Sequence, residues 1–251
     1  LSVAEVIRAL REELERALQG LAIDFAVQLS ASRRKRLFLA DMDSTIIGCE
    51  CLDELADFAG VKTQVSAITE RAMRGEIPFE AALARRVAML KGLPLSALQR
   101  CYDERVRLNP GARTLVRTLR ADGMRCVLVS GGFDFFTERV AAAAGFHRQY
   151  ANHLMEGDDR LTGQVQAPIL GREAKLQTLR DEAQRLEINL AAACAIGDGA
   201  NDLAMIEAAG LGVAYRAKPV VADQADAWIA HGDLTTLLYF QGYGVEAFIR
   251  D

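Results

Sequence analysis

The sequence predicts an α/β protein: a doubly wound, mostly parallel, Rossmann-like sheet with a small helical-bundle cap inserted after the first core strand. Three observations carry that prediction. Residues 37–40 form a short apolar run, Leu-Phe-Leu-Ala, the pattern of a strand buried on both faces of a parallel sheet. From residue 112 onward, apolar strand-like runs alternate with helical patterns, as repeated βα units require. Between these regions, residues 51–102 are helical in pattern throughout.

Composition narrows the class. A chain of 251 residues that is 51% hydrophobic can bury one large core, or a core domain and a smaller companion. Thirty basic against 34 acidic residues, net −4, argue against a nucleic-acid surface. The basic run Arg33-Arg34-Lys35-Arg36 reads as a solvated linker. No segment approaches the roughly 20 continuous apolar residues of a membrane span, and residues 1–21 are broken up by Glu and Arg, unlike a signal peptide. Five cysteines, at 49, 51, 101, 126 and 194, are an odd number without a metal-ligand pattern. Cys49 and Cys51 are spaced as a redox or metal pair would be, but lack a matching second pair. The set reads as reduced packing cysteines of a cytoplasmic protein.

In chain order, apolar residues at Val3, Val6, Ile7, Leu10, Leu14 and Leu18 predict a helix over 1–20, stopped by Gly20, then a strand over 23–29. Such a piece cannot bury its own apolar face and must pack on a partner surface; a homo-oligomer is one arrangement that would supply it. The chain starts at Leu rather than Met, so residues 1–32 are expected to be the remnant of a larger N-terminal domain. Residues 30–35 are the linker. Four helices are expected in 47–107, over 51–59, 61–73 (with Gly75 after it), 79–90 and 95–102: a bundle standing over the carboxyl end of the first strand. The catalytic core is then 33–46 and 108–251. Within it the pattern gives a helix at 112–121, a strand at 125–129, a turn at 130–132 and a helix at 133–144. A hairpin excursion within 147–165 follows, turning at Gly157-Asp158-Asp159. A helix at 173–186, a strand at 191–196, a helix at 203–209 and strands at 211–214 and 227–230 complete it.

Four polar clusters fall where strands or their loops end: Asp41 and Asp43 with Ser44 and Thr45, Ser130-Gly131-Gly132, Lys175, and Asp198 with Asn201 and Asp202. Each alone has an ordinary reading as turn or solvated charge. Parallel strands, however, bring such ends together, and ligands of open α/β sheets bind there. The chemistry is complementary. Asp41, the neighbourhood of Asp43 and Asp198 offer hard oxygen ligands for Mg²⁺. Ser130, the Gly131 backbone N–H and Lys175 can hold anionic oxygens. A carboxylate, Mg²⁺ and a phosphate grip are what phosphoryl transfer needs, with an aspartyl-phosphate splitting the difficult hydrolysis in two.

Taken in order, Asp41-Met-Asp-Ser-Thr45, Ser130-Gly-Gly, Lys175 and Gly197-Asp-Gly-Ala-Asn-Asp202 resemble the four motifs of haloacid-dehalogenase-superfamily phosphatases, over about residue 36 to the C-terminus. The resemblance implies Asp41 as nucleophile and Asp43 as general acid, then base, its backbone carbonyl binding Mg²⁺. It implies Asp198 as the further metal ligand, Asp202 and Thr45 as supports, and Ser130, Gly131, Lys175 and Asn201 around the phosphoryl group. In the cap, Glu50, Met73, Phe79 and Arg86 fall where the phosphoserine-hydrolysing branch of that superfamily keeps its substrate-reading residues. From pattern alone, Met73 and Phe79 read as core and Arg86 as surface. The implied activity is Mg²⁺-dependent hydrolysis of a small-molecule substrate, O-phospho-L-serine, as the last step of serine synthesis. The alternative is a related phosphotransferase that passes the group to another alcohol such as homoserine. A receiver-like module with a long-lived phospho-aspartate is disfavoured by Asp43, an acid/base beside the nucleophile.

Overall fold

The computed structural model describes residues 2–73 and 76–250, the side chains of Ala4 and Met73 excepted. The N-terminal helix α1 (Val3–Ala17) starts at a capping box, Ser2 with Glu5. Strand β1 (Leu37–Ala40) is buried at all four positions, and the helices α2 (Cys51–Phe58), α3 (Lys62–Met73), α4 (Phe79–Ala88) and α5 (Leu95–Arg105) follow. Gly75, expected to close the second of these, lies outside the described residues. Next come α6 (Ala112–Ala121), β2 (Arg125–Phe133), α7 (Asp134–Ala144), β3 (Arg148–Asn152) and the hairpin β4 (Leu154–Gly157) and β5 (Arg160–Val165). The chain ends with α8 (Arg172–Arg185), β6 (Ala193–Gly197), α9 (Leu203–Ala208), β7 (Leu211–Tyr215), α10 (Pro219–Ala222), β8 (Ala227–Ile229) and α11 (Thr236–Phe240).

The main sheet has the order β3-β2-β1-β6-β7-β8, every pairing parallel. Side-chain alternation along the strands decides which face each residue serves. Phe38, Ala40, Cys126, Leu128, Cys194 and Ile196 join Leu115, Phe136 and Leu237 in one core. Leu37, Leu39, Val127, Val129, Ala193 and Ala195 join Leu179, Met205 and Val221 on the other side. Both faces are therefore covered, which is why these strands read as unbroken apolar runs. The chain builds outward from β1 to β2 and β3, then returns to lay down β6, β7 and β8 on the other side. The strand order thus reverses between β1 and β6, and the crevice at their carboxyl ends is where such a sheet binds ligands.

The helices α2–α5 pack on one another beside that crevice. Their two connections to the sheet run side by side: Ile47 bridges Leu108, and the Asn109 side-chain amide donates to the carbonyls of Thr45 and Ile47. The hairpin holds the bundle from the other side. Leu161 accepts the Gly92 N–H and donates its own N–H to the Leu93 carbonyl, Leu95 N–H donates to the Asp159 carbonyl, and Arg160 donates to the Gly92 carbonyl. Asp158 and Asp159 both take positive φ, 52° and 57°, as a two-residue hairpin turn of this hand demands.

Four expectations change. The predicted turn at 130–132 is strand: β2 runs on to Phe133, which pairs with Asn152 after a register shift past Val129. Ser-Gly-Gly reads as a turn only because glycine is uncommon in strands. The edge strand β3 escapes the pattern, since Arg148, Gln149 and Asn152 break its apolar run. Residues 23–29 form no strand; their contact with the sheet is one bridge, Ala26 to Ala227. Instead the Asp24 carboxylate accepts the backbone N–H groups of Ala230, His231 and Gly232. Lys35 is no solvated linker residue. It is buried, and its ammonium donates to the carbonyls of Ala191 and Gly210.

Candidate active site

The site is built on the strand ends at the reversal. After β1 the backbone leaves the sheet at Asp41, whose N–H still donates to the Ile196 carbonyl of β6. The chain then winds tightly through 42–46, with Asp43 extended (φ −66°, ψ 138°) and Ser44 left-handed (φ 55°). This winding turns Asp41, Asp43 and Thr45 inward, and all three are buried.

Lys175, in the first turn of α8, is almost fully buried between two carboxylates. Its Nζ lies 2.7 Å from Asp41 Oδ1 and 2.6 Å from Asp202 Oδ1. Burial alone would lower its pKa; Asp202 and Asp41 outweigh that and raise it, so the ammonium is permanent. Asp41 Oδ1 also accepts the Met42 N–H at 2.8 Å. Among the described residues, the protein's bonds to this carboxylate fall on Oδ1, which leaves Oδ2 without a hydrogen-bond partner. Asp43 is different: Oδ1 accepts the Cys51 N–H at 2.9 Å, and Oδ2 takes the Ser130 hydroxyl at 3.1 Å. Burial raises its pKa despite both bonds, so a proton is held more readily here than on a free carboxylate. The Gly132 N–H in turn donates to Ser130 Oγ at 2.8 Å. A Cβ at Gly132 would stand 2.8 Å from Asp43 Oδ2, so the close approach of strand and carboxylate requires glycine here.

Carboxylate oxygens of Asp41, Asp198 and Asp202 lie within 4.8 Å of one another. Thr45 Oγ1 donates to Asp198 Oδ1 at 2.8 Å, linking the first loop to the loop after β6. Burial, then Asp202, pushes the Asp198 carboxyl up to about 6, and burial with Asp202 raises Asp41 as well. Three carboxylates facing one ammonium leave excess negative charge, and hard oxygens in this arrangement fit a divalent cation. Asp202 is committed elsewhere through Lys175 and the Gly199 N–H, at 3.1 Å from Oδ2. The Asp43 carboxylate is not part of the cluster. The half-buried Asn201 lies against Gly199, where a Cβ would meet its Oδ1.

Helices α2–α4 add a second group. Glu50, immediately before α2, accepts the Ser44 hydroxyl on Oε1 at 2.6 Å. It keeps solvent contact, yet the protein around it and the nearby Asp43 push its carboxyl up to about 7. Arg86 on α4 is half-buried; Nη1 donates to Thr69 Oγ1 at 3.3 Å and Nε to the Ala82 carbonyl at 3.4 Å. Burial lowers its pKa, and Asp53 and Glu50 oppose that shift. The Phe79 ring lies over the backbone of Gly131 and Gly171: Cβ atoms placed there would come within 3.3 Å and 3.1 Å of it. Met73 ends α3, and its side chain lies outside the described residues.

A family model for haloacid dehalogenase-like hydrolases matches residues 38–207, which contain every motif residue of this crevice. The chain belongs to that family. It is 44% identical over 234 residues to a phosphoserine phosphatase from Archaeoglobus fulgidus, covering 93% of this chain and 67% of that protein. With one from Polaromonas sp. it shares 45% identity over 224 residues, covering 87% of this chain and 95% of the other. It spans 52% of a longer phosphoserine phosphatase from Mycobacterium tuberculosis. A solved phosphoserine phosphatase, described as a phospho-aspartyl intermediate analogue, superposes with a TM-score of 0.77 at 38% identity. That match covers 82% of this chain and 99% of the other.

Two residues of this hydrolase crevice escape pattern reading. Asn152, at the end of β3, is buried; its amide donates to the carbonyls of Gly131 and Leu170, and its Oδ1 accepts the Leu170 N–H at 2.6 Å. It fixes the Ser130-Gly131 backbone against the segment leading into α8. Asn109 does the same for the 45–47 backbone. Asparagine in either place looks like an ordinary loop residue, and only the partners reveal the role.

Proposed function

We propose that the chain hydrolyses O-phospho-L-serine to L-serine and phosphate, the last step of serine synthesis. The observation that carries this is the contrast between two buried carboxylates two residues apart. Asp41 keeps Oδ2 without a hydrogen bond from the described residues, while Asp43 is held at both oxygens. In this reading Asp41 Oδ2 attacks phosphorus, the bond to the serine oxygen breaks, and Asp43 gives its proton to the departing alkoxide. Asp43, now ionised, takes a proton from the water that attacks the aspartyl-phosphate, which releases phosphate and restores Asp41. Lys175 favours the ionised form of Asp41 against burial and Asp202 and, with Ser130, the Gly131 N–H and Asn201, binds the phosphoryl oxygens.

Asp41, Asp198 and the Asp43 backbone carbonyl would hold Mg²⁺, with Thr45 and Asp202 keeping the ligands in place. Mg²⁺ would supply neutralisation of phosphoryl charge. Glu50 meets the substrate ammonium and Arg86 its carboxylate, while Phe79 and Met73 keep water from the closed site. The helical residues 47–107 act as a cap on a core of 33–46 and 108–251, with 1–32 as a separate N-terminal piece. The five cysteines are free thiols, which supports a cytoplasmic enzyme.

The test is phosphate release from a panel of phosphorylated amino acids and sugars, with Mg²⁺ or chelator, and with homoserine as a competing acceptor. Serine and inorganic phosphate in equal amounts, only with Mg²⁺, are expected. A new phosphoester would identify a phosphotransferase, and full activity in chelator would remove the metal from the reading.

A further inference from the structure

Arg86 and Glu50 pose a physical problem for a site that reads a zwitterion. They carry opposite charges, and Glu50, after Asp53, acts on Arg86 electrostatically. Left to themselves in a partly desolvated space they would pair with each other, and a collapsed pair offers neither charge to a substrate. Among the described residues no ion pair joins them. Each is instead held by a neutral hydroxyl: Glu50 by Ser44, and Arg86 by Thr69.

The Thr69 contact has a direction built into it. The hydroxyl has one proton, and it is donated to the Val65 carbonyl one helical turn back, at 3.2 Å. What remains on Oγ1 is lone pairs, and a guanidinium can only donate. A chain of bonds therefore runs Arg86 N–H to Thr69 O–H to Val65 C=O, from α4 through α3. The β-branched side chain has few χ1 choices in a helix, so the acceptor is stiff. With Nε tied to Ala82 on its own helix and Nη1 to Thr69, the guanidinium is held at two nitrogens, and Nη2 has no hydrogen-bond partner among the described residues.

We propose that Thr69 is a positioning residue for Arg86, keeping the guanidinium from collapsing onto Glu50 and aimed at the substrate carboxylate. This rests on the assignment of Arg86 to that carboxylate.

The experiment is steady-state kinetics of the full chain on phosphoserine and on p-nitrophenyl phosphate, for Thr69→Val, Thr69→Ser, Arg86→Ala and the Thr69→Val/Arg86→Ala double variant. Hydrogen bonds to charged groups set the expected size. Thr69→Val should raise KM for phosphoserine roughly tenfold with kcat unchanged, and leave p-nitrophenyl phosphate unaffected. Thr69→Ser keeps the hydroxyl and should stay near the parent. In the Arg86→Ala background Thr69→Val should add nothing, because the group it positions is gone. An additive double variant, equal losses on both substrates, or an unaffected Thr69→Val beside an impaired Arg86→Ala would each overturn the proposal. Should Thr69→Val fail to fold, Thr69→Ala against Thr69→Ser carries the same contrast. If Arg86→Ala itself leaves phosphoserine kinetics unchanged, the assignment of Arg86 has failed, and that outcome is distinct from a failure of Thr69 alone.

Discussion

Around Asp41 and Lys175 the protein surrounds its charges with short, buried bonds, whereas around Glu50 and Arg86 it leaves them half open on longer ones. The Lys175 ammonium sits 2.6 Å and 2.7 Å from its carboxylates and is cut off from water. Arg86 is held at 3.3 Å and 3.4 Å, and Glu50 keeps solvent contact. Buried charge-assisted bonds are stiff, and removing one partner costs about 3–5 kcal/mol. That stiffness suits the phosphoryl end of the proposed reaction, where the non-bridging phosphoryl oxygens to be held are common to every phosphoester. The looser end suits recognition, because its charges stay available until a ligand replaces water. The two ends also differ in origin: one is built from sheet ends, the other from helices inserted between β1 and α6.

If that division holds, damage at the sheet end should be large and blind to the substrate. Asp41→Asn should abolish turnover on every phosphoester, and no labelled protein should be trapped when it is acid-quenched with radiolabelled phosphoserine. Asp43→Asn should lose about 100- to 10,000-fold in kcat on phosphoserine, the usual worth of a positioned acid/base, and is the one exception to that blindness, since p-nitrophenolate leaves without a proton. Gly132→Ala should come next. The added methyl meets Asp43 Oδ2 and Ser130 Oγ, and displacing either by about 1 Å costs roughly 100-fold in kcat. Circular dichroism should show the fold intact, since Gly132 has ordinary strand geometry rather than positive φ.

The smallest expected effect is a pH limb that belongs to the helical end. Glu50 must be ionised to pair with an ammonium, and its carboxyl is pushed up to about 7. The kcat/KM for phosphoserine, measured at saturating Mg²⁺, should therefore fall as pH drops below about 7, and Glu50→Gln should lose that limb. The stability sign follows from the same shift. The folded state holds this proton more tightly than the unfolded chain between the ordinary carboxyl value of 4.5 and about 7. Stability from this group is then present below that window and lost as pH rises through it, so Glu50→Gln should melt higher than the parent at pH 8.

Most of the sheet end was legible in the sequence. An apolar run ending in two acids marks a buried strand with chemistry at its carboxyl end, and Gly-Asp-Gly-Ala-Asn-Asp marks its partner loop. The polar edge strand β3 was not legible, nor was the continuation of β2 through Ser130 and the glycines, because each depends on its neighbour rather than on its own residues. The hairpin turn was visible in Gly157-Asp158-Asp159, but its grip on the 92–95 turn was not. The helical end was legible as helices. Its chemistry was visible only through the family resemblance and not in the pattern, because Arg86 beside Arg85 and Thr69 inside a helix look like surface until their partners are seen.

The claim that one end reacts and the other chooses reduces to a single ratio. It is kcat/KM for phosphoserine divided by kcat/KM for p-nitrophenyl phosphate, compared between Arg86→Ala, Glu50→Gln and Asn201→Ala. The ratio should fall roughly 100-fold in each of the first two, the cost of an unpaired charge in the substrate or the site, and stay unchanged in Asn201→Ala, where a group on the shared phosphoryl oxygens is lost and both rates fall together. A ratio that stays constant in Arg86→Ala and Glu50→Gln would contradict the claim.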